Sequence, residues 1–501
     1  MDVPAGGSAP ELQRLWSLRE DVEVEFEEGP DGDALLRNRW STVRLARPDR
    51  AGREALRRMT FGPISLDNIL CGAERGSRAR LDDLLGRIQH LTIRSVGLTD
   101  SELPLLSVVP ISPRAVPEQV AVGPDQPLRL SRFAVLSGAG RGLTLESPLS
   151  LFRVLAHRPA AAALLGALGW TTTLAELTAT LPFPATAVQE AVEHLLGAGL
   201  AVGGRPGPDG CGAVFAEDTD PVLATWAPVD LLFHTRSTVG RHDNDFGATY
   251  AHANRLAPEP AIRPVPAGRR FALPLPSATD RAEPPFAAVV ERPPPPVDCV
   301  PPAARLTLSQ LGELLYRSAR IRTVSKDPSG PPEYEITERP YTSFGGTHPL
   351  ELYVSVDNCA GLPRGVFHYD PARHRLTLLT EDRDVLAKVL SCSRVSAGLA
   401  GPPPLVITLT ARFARAAWKF SGQSYALVLR DTGAALQTLE LVAAAMGLAT
   451  APLAAADIEA GARVSGVDWR AESSVGQLVV GPAAAVPAAP GTSYLPWNHG
   501  V

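Results

Sequence analysis

The 501-residue chain is nearly without lysine: of its 48 basic residues, all but Lys326, Lys388 and Lys419 are arginine. A guanidinium stays protonated in any surroundings, whereas an ammonium is tuned by burial, so each remaining lysine is a candidate for chemistry that arginine cannot do. Cysteine is scarce as well. Cys71, Cys211, Cys299, Cys359 and Cys392 lie far apart with no C-x-x-C pair, which argues against a disulfide framework or a zinc site and for reduced thiols. No uncharged apolar run reaches the ~18 residues of a membrane span. The opening MDVPAGGSAPELQRLW lacks the basic and apolar regions of a secretion signal. A net charge of -5 gives no electrostatic ground for a nucleic-acid partner. These absences lead to the expectation of a cytoplasmic protein with no membrane, nucleic-acid or metal partner.

Apolar residues make up 45% and charged residues 20%, the balance of a globular protein. The length calls for two or three domains, since one core rarely serves more than about 250–300 residues. Residues 1–20 read as a tail. In 21–125, a strand (RWSTVRLARP), three helices (REALRRM, ISLDNIL, RLDDLLGRIQHL) and a returning strand (TIRSVGL) suggest a winged-helix-like unit. Residues 126–215 repeat the layout: strand-like LSRFAVLSGAGRGLTLESP, an apolar helix in SLFRVLAHRPAAAALLGAL, then two helices and a short strand at 200–202. Thr173 with Glu176 and Thr186 with Gln189 can form capping boxes, and Pro182-Phe183-Pro184 breaks the chain between them. The last helix carries Glu190 and Glu193 and no arginine or lysine. It offers nothing to a phosphate backbone, so a peptide-binding or structural role is expected rather than DNA binding.

Residues 216–485 have an α+β texture, and 486–501 form an Ala/Pro tail. A helix and polar loop (ATWAPVDLLFHTRSTVGRHDNDFGATYAHANR) lead through the proline-rich stretch 291–308 to a helix over 306–322. The strand LELYVSVDN, a hairpin turning at Asp370-Pro371-Ala372-Arg373, the strand PLVITLTARF, a long apolar helix closed by Gly447 and the strand GQLVVG follow. Four places could carry chemistry. Arg317, Ser318, Arg320 and Arg322 could grip a phosphate or form a solvated arginine face. Ser343, Gly345 and Gly346 could let backbone amides approach a planar ligand or form an ordinary turn. Pro452, Leu453 and Ala454 could face an aromatic ring system or be a helix exit. Lys419 lies between Trp418 and Phe420, where desolvation would make a general base; the alternative is a lysine lying over an aromatic surface.

The order of these pieces, an arginine-serine helix, then S-F-G-G-T-H-P-L-E-L-Y, W-K-F, D-T-G and A-A-M-G-L-A-T-A-P-L, resembles the nitroreductase fold. Within it, the chain is similar to the SagB-type azoline dehydrogenases that act on thiopeptides and other azole-containing ribosomal peptides. The resemblance implies a nitroreductase-like FMN-binding domain preceded by tandem winged-helix units. It further implies FMN as cofactor, a homodimer, a precursor peptide bearing thiazoline or oxazoline rings, and a cyclodehydratase partner. By position, it assigns the FMN phosphate to Arg317, Ser318 and Arg320, and the ribityl chain and ring edge to Ser343, Gly345 and Gly346. The isoalloxazine face falls to Pro452 and Leu453, with the Ala454 amide toward N5. Lys419 matches the lysine of a Lys-Tyr pair and is expected to be the base. The tyrosine of that pair is Phe420 here, with Tyr425 a candidate substitute. An inactive scaffold and a generic NAD(P)H-dependent nitroreductase are the competing readings.

Overall fold

The computed structural model describes residues 10–482 apart from 30–31, 141, 209–211, 277–283, 292–296, 298–304, 454–456, 460–461 and 463–465. The chain divides into two compact units, Met1–Asn244 and Asp245–Val501. The first therefore extends beyond the boundary expected at residue 215.

In the first unit, six antiparallel strands run in the order Leu12–Leu18, Thr92–Leu98, Leu106–Pro110, Phe152–Ala156, Gly142–Glu146 and Val135–Ala139. This sheet takes strands from both of the segments that the sequence divides at 125, so they are not separate modules. Two local expectations are corrected. Leu12–Leu18 is no tail: it pairs along its whole length with the strand Thr92–Leu98, from Leu12 opposite Leu98 to Leu18 opposite Thr92. Phe152–Ala156, expected as helix, is a strand whose alternate residues Phe152, Val154 and Ala156 are buried. The helix begins only at Pro159, where a proline's missing N–H costs nothing.

The capping box of Thr173 and Glu176 forms at the start of the helix Leu174–Thr180. The one expected at Thr186 does not, because the helix Ala185–Gly197 starts directly after Pro184. Its Leu195, Val192 and Val188 pack with Val96, Val108 and Val154 of the sheet, and its Glu190 meets Arg14 at 2.8 Å. A three-stranded sheet, Glu23–Phe26, Ala34–Arg37 and Thr42–Leu45, encloses a smaller core with three helices.

The second unit is built on seven antiparallel strands in the order Arg270–Ala272, Arg375–Thr380, Gly365–Asp370, Leu350–Val356, Leu405–Arg412, Glu472–Gly481 and Ala449–Leu453. Alternation along the central strands gives the sheet two unlike faces. Leu350, Leu352, Val354, Val356, Leu405, Ile407 and Leu409 share a core with the helices Leu308–Ala319 and Ser424–Ala445. The other face is polar yet buried. There Glu472 accepts hydrogen bonds from Tyr353 at 2.8 Å and Thr410 at 2.7 Å, and pairs with Arg263. Glu351 meets His368 at 3.0 Å and Arg412 at 3.4 Å. Burial pushes the Glu351 carboxyl up, but His368 and Arg412 outweigh it and hold the group below its ordinary value. Buried charges persist when paired in this way.

The helix expected over 306–322 spans Leu308–Ala319, opened by a capping box of Thr307 and Gln310. Arg320 turns to extended backbone at ψ 150°, and Ile321 donates to the Pro371 carbonyl. Arg320 and Arg322 thus lie past the helix end. Among the described residues, no helix is long and apolar enough to cross a membrane.

Candidate active site

A seven-residue helix, Phe413–Lys419, follows the central strand Leu405–Arg412 and ends on Lys419. Arg415, one turn earlier, is fully buried. Its guanidinium donates to the carbonyls of Thr347, Glu259 and Glu335, which ties three distant segments to this helix. Burial lowers the Arg415 guanidinium to about 10. Trp418 stacks on Tyr334 with ring centres 5.1 Å apart, and its indole N–H donates to the Leu256 carbonyl.

Lys419 itself is 6% exposed. Its Nζ donates to Asp327 Oδ2 and, at 3.0 Å, to the Gly345 carbonyl. Of the two flanking aromatics named from the sequence, Phe420 lies 5.6 Å from Nζ; the other rings around it are Tyr334 and Tyr250, at 5.8 and 5.9 Å. An acid is present too. Asp327, also 6% exposed, follows the strand Thr323–Lys326. Its Oδ2 also accepts from the Tyr250 hydroxyl at 2.8 Å, and Oδ1 accepts from the Ser329 amide at 3.1 Å. Burial raises the Asp327 carboxyl, yet the donors Lys419, Tyr250 and Ser329 together hold it below its ordinary value. Burial first, and then the contact with Asp327, push the Tyr250 phenol well above the usual tyrosine range. It is therefore a hydrogen-bond donor throughout the neutral range.

The glycine loop lies against this cluster. Gly345 and Gly346 have φ +62° and +65°, left-handed values that favour glycine. Space demands glycine as well: a Cβ on Gly345 would lie 2.8 Å from Phe420 Cζ and 2.9 Å from Lys419 Nζ. The loop is held from the other side by Asp431 of the long helix. Ser343 Oγ and the Phe344 amide both donate to its carboxyl, and the His348 amide donates to Ser343 Oγ at 2.9 Å. Asp431 is 1% exposed. Burial pushes its carboxyl up to about 6 against the opposing pull of Ser343 and Phe344.

Ser343, Gly345, Gly346 and Lys419 are thus brought together. The remaining sequence candidates stand elsewhere in the same unit. Ser318 is 1% exposed and its Oγ has no hydrogen-bond partner among the described residues. Arg317 lies 2.9 Å from Glu313, and Arg320 folds over the Tyr316 ring at 4.3 Å while donating to its carbonyl. Pro452 and Leu453 lie on the edge strand, opposite Leu478 and Gln477, where a proline's missing donor is tolerated. Ala454 lies outside the described residues. Tyr425 is 49% exposed at the start of the long helix, its ring 6.0 Å from Phe413. The phenol bonded to the Lys419–Asp327 pair belongs to Tyr250 instead. Sequence reasoning gave no role to Asp327, Tyr250 or Asp431, although Asp431 is the acid of the D-T-G that helps carry the resemblance. Only Asp431 left a signal, as an acid in register with Leu427, Val428 and Ala435 on the buried side of an apolar helix.

Residues 306–482 match the Nitroreductase family, and residues 128–243 match the family described as cyanobactin oxidase ThcOx. The second unit therefore carries a nitroreductase-type oxidoreductase domain, and a cyanobactin-oxidase-type segment precedes it. A Methanocaldococcus jannaschii protein named as a nitroreductase, MJ1384, is 26% identical over 154 residues, covering 30% of this chain and 69% of that protein. Among solved structures, the E. coli microcin synthetase McbBCD complex with truncated pro-MccB17 bound is matched at 22% identity over 53% of this chain and 94% of that chain, with a TM-score of 0.33. A nitroreductase in complex with FMN from Exiguobacterium sibiricum is matched at 14% identity over 44% of this chain and 96% of that one, with a TM-score of 0.28.

Proposed function

We propose that this protein is an FMN-dependent dehydrogenase that oxidises thiazoline or oxazoline rings in a ribosomally made peptide to thiazoles or oxazoles. The observation that carries the reading is the succession within one chain of a cyanobactin-oxidase-type segment and a nitroreductase-type domain. The first ties the chain to oxidation of modified peptides, and the second to two-electron redox chemistry.

The residues present fit FMN. Among the described residues the buried Ser318 hydroxyl has no hydrogen-bond partner, a shortfall that a phosphate oxygen would make good, and Arg317 and Arg320 flank it in sequence with charge for the same group. Ser343, Gly345 and Gly346 would lie along the ring edge, and Pro452 and Leu453 against its face. Bound FMN supplies a two-electron acceptor for hydride. The substrate ring loses a proton from the former α-carbon and a hydride from the neighbouring ring carbon, and its aromatisation favours the loss. Lys419 is the group assigned to that proton: it takes it as the free amine once its own proton has passed to Asp327, and Tyr250, Tyr334 and Phe420 wall the pair from water.

In the first unit, the helices Leu174–Thr180 and Ala185–Gly197 and the strand Ala201–Gly203 are read as a winged-helix-like module. It would hold the leader part of the precursor or dock the cyclodehydratase that makes the azolines. The enzyme would act as a homodimer in the cytoplasm.

The test is to load the purified protein with FMN and supply an azoline-bearing peptide under air. A mass loss of two hydrogens per ring, at a flavin stoichiometry of one per chain, is expected. Flavin uptake with no azole, but rapid bleaching by NAD(P)H, would give the generic nitroreductase instead. Failure to take up FMN would leave a scaffold.

A further inference from the structure

Lys419 does not stand alone, and the way it is held bears on the phenol that its neighbour Phe420 lacks. An ammonium has three N–H bonds. Two are taken by Asp327 and Gly345, leaving one without a partner among the described residues. Asp327 cannot turn away, because Oδ1 is tied to the Ser329 amide while Oδ2 receives both Lys419 and Tyr250. A single carboxylate oxygen thus links amine and phenol.

Tyr250 is fixed just as tightly. Its backbone sits at φ +49°, a left-handed conformation that a bulky residue adopts only where its surroundings impose it. The Thr249 and Tyr250 amides reach the Lys419 carbonyl at 2.9 and 3.3 Å, and the ring packs edge-on against Tyr334 and Trp418. The hydroxyl has space reserved for it. A Cβ on Gly330 would lie 2.5 Å from Tyr250 Oη and 2.7 Å from Cζ, so the turn opposite must be glycine for the phenol to reach Asp327.

We infer that Asp327 and Tyr250 are the positioning residues of Lys419, and that the Tyr250 hydroxyl, brought in from a distant segment, replaces the phenol missing at position 420. The inference rests on Lys419 being the proton-handling group of the proposed function. Among the described residues, the other charged or titratable groups around the cluster include Tyr334 behind Lys419, Arg415 one turn earlier on its helix, Glu259, whose carbonyl Arg415 holds, and Arg412, paired with Glu259. None of them replaces the Tyr250 hydrogen bond. A Tyr250→Phe side chain keeps every ring contact and loses one hydroxyl.

The scarcity of lysine makes the test direct. Lys326 and Lys388 are exposed and Lys419 is buried, so brief acylation of the full chain followed by peptide mass mapping reads Lys419 against two internal references. Tyr250→Phe and Gly330→Ala are each expected to raise labelling of Lys419 about tenfold as the clamp opens. Both should lower azole formation by about ten- to a hundredfold at unchanged KM, the usual loss when an outer partner of a working group is removed. Asp327→Asn should do both more strongly, with Asp327→Glu restoring part. Tyr250→Phe labelling within twofold of wild type would overturn the inference, whether or not Asp327→Asn folds. Labelling needs neither flavin nor peptide. A wild-type protein that makes no azole, with labelling that still rises in Tyr250→Phe, would refute the proposed function and leave the positioning role intact.

Discussion

Asp327 and Asp431 are both almost closed off from water, and each holds one side of the candidate site, yet their carboxyls are displaced in opposite directions. Asp327 faces a cation, a phenol and an amide. Asp431 faces a hydroxyl and an amide, with no cation among its hydrogen-bond partners. Burial acts on both in the same sense, so the difference comes from what answers it. The lysine side of the site is organised by an ion pair. The glycine-loop side hangs on a carboxyl that gains or loses its proton near pH 6.

The strongest way to break this contrast is to remove the cation. Lys419→Met should abolish azole formation, a loss of about a thousandfold or more if the lysine handles the proton, while FMN remains bound. It should also leave Asp327 a buried carboxylate without its cation, at a cost of about 3 kcal/mol. Adding Asp327→Asn should recover much of that stability in urea melts without recovering activity. A Lys419→Met protein with ordinary turnover would remove the lysine from the mechanism. Gly345→Ala comes next. Its Cβ would meet Lys419 and Phe420 at 2.8–2.9 Å from a backbone at φ +62°, so a loss of about 1–3 kcal/mol is expected, together with displacement of Lys419. An alanine variant as stable as wild type would show that the loop does not rest on the lysine.

The parts of this arrangement differ in how far they could be read from sequence, and the reason is range. The strands Leu350–Val356 and Leu405–Arg412 and the helix Ser424–Ala445 announce themselves by local periodicity. Gly345 and Gly346 mark a special backbone, and Lys419 stands out as one of only three lysines in the chain. Phe152–Ala156 was hidden because its five alternating residues run into an alanine-rich helix, blurring the two periods. Leu12–Leu18 was hidden because its pairing partner along its whole length, Thr92–Leu98, lies far away in the sequence. Asp327 and Tyr250 follow the same rule. Asp327 is 92 residues from Lys419 and 77 from Tyr250, and SKDPSG on its own is just a polar turn. A residue whose meaning depends on a distant partner leaves no local pattern.

The glycine-loop side gives a smaller effect with a definite sign. The Asp431 carboxyl is raised from its ordinary 3.8 to about 6. The folded protein therefore holds that proton more tightly than the unfolded chain does. The associated stability is fully present below about pH 4 and is lost as pH rises through about 6, on the order of 3 kcal/mol in all. Asp431→Asn should flatten this part of the stability–pH curve while keeping an acceptor for Ser343 or Phe344. A wild-type curve already flat between pH 4 and 6 would mean that solvent reaches the carboxyl.

Smallest of all should be Tyr425→Phe. Tyr425 is half exposed against Phe413, whereas the phenol on the Lys419–Asp327 pair is supplied by Tyr250. Turnover within about twofold of wild type is expected, since changes at exposed positions away from buried networks have small effects. A loss as large as that of Tyr250→Phe would give the tyrosine role to the long helix, and the two sides of the site would then share one proton path instead of being held separately.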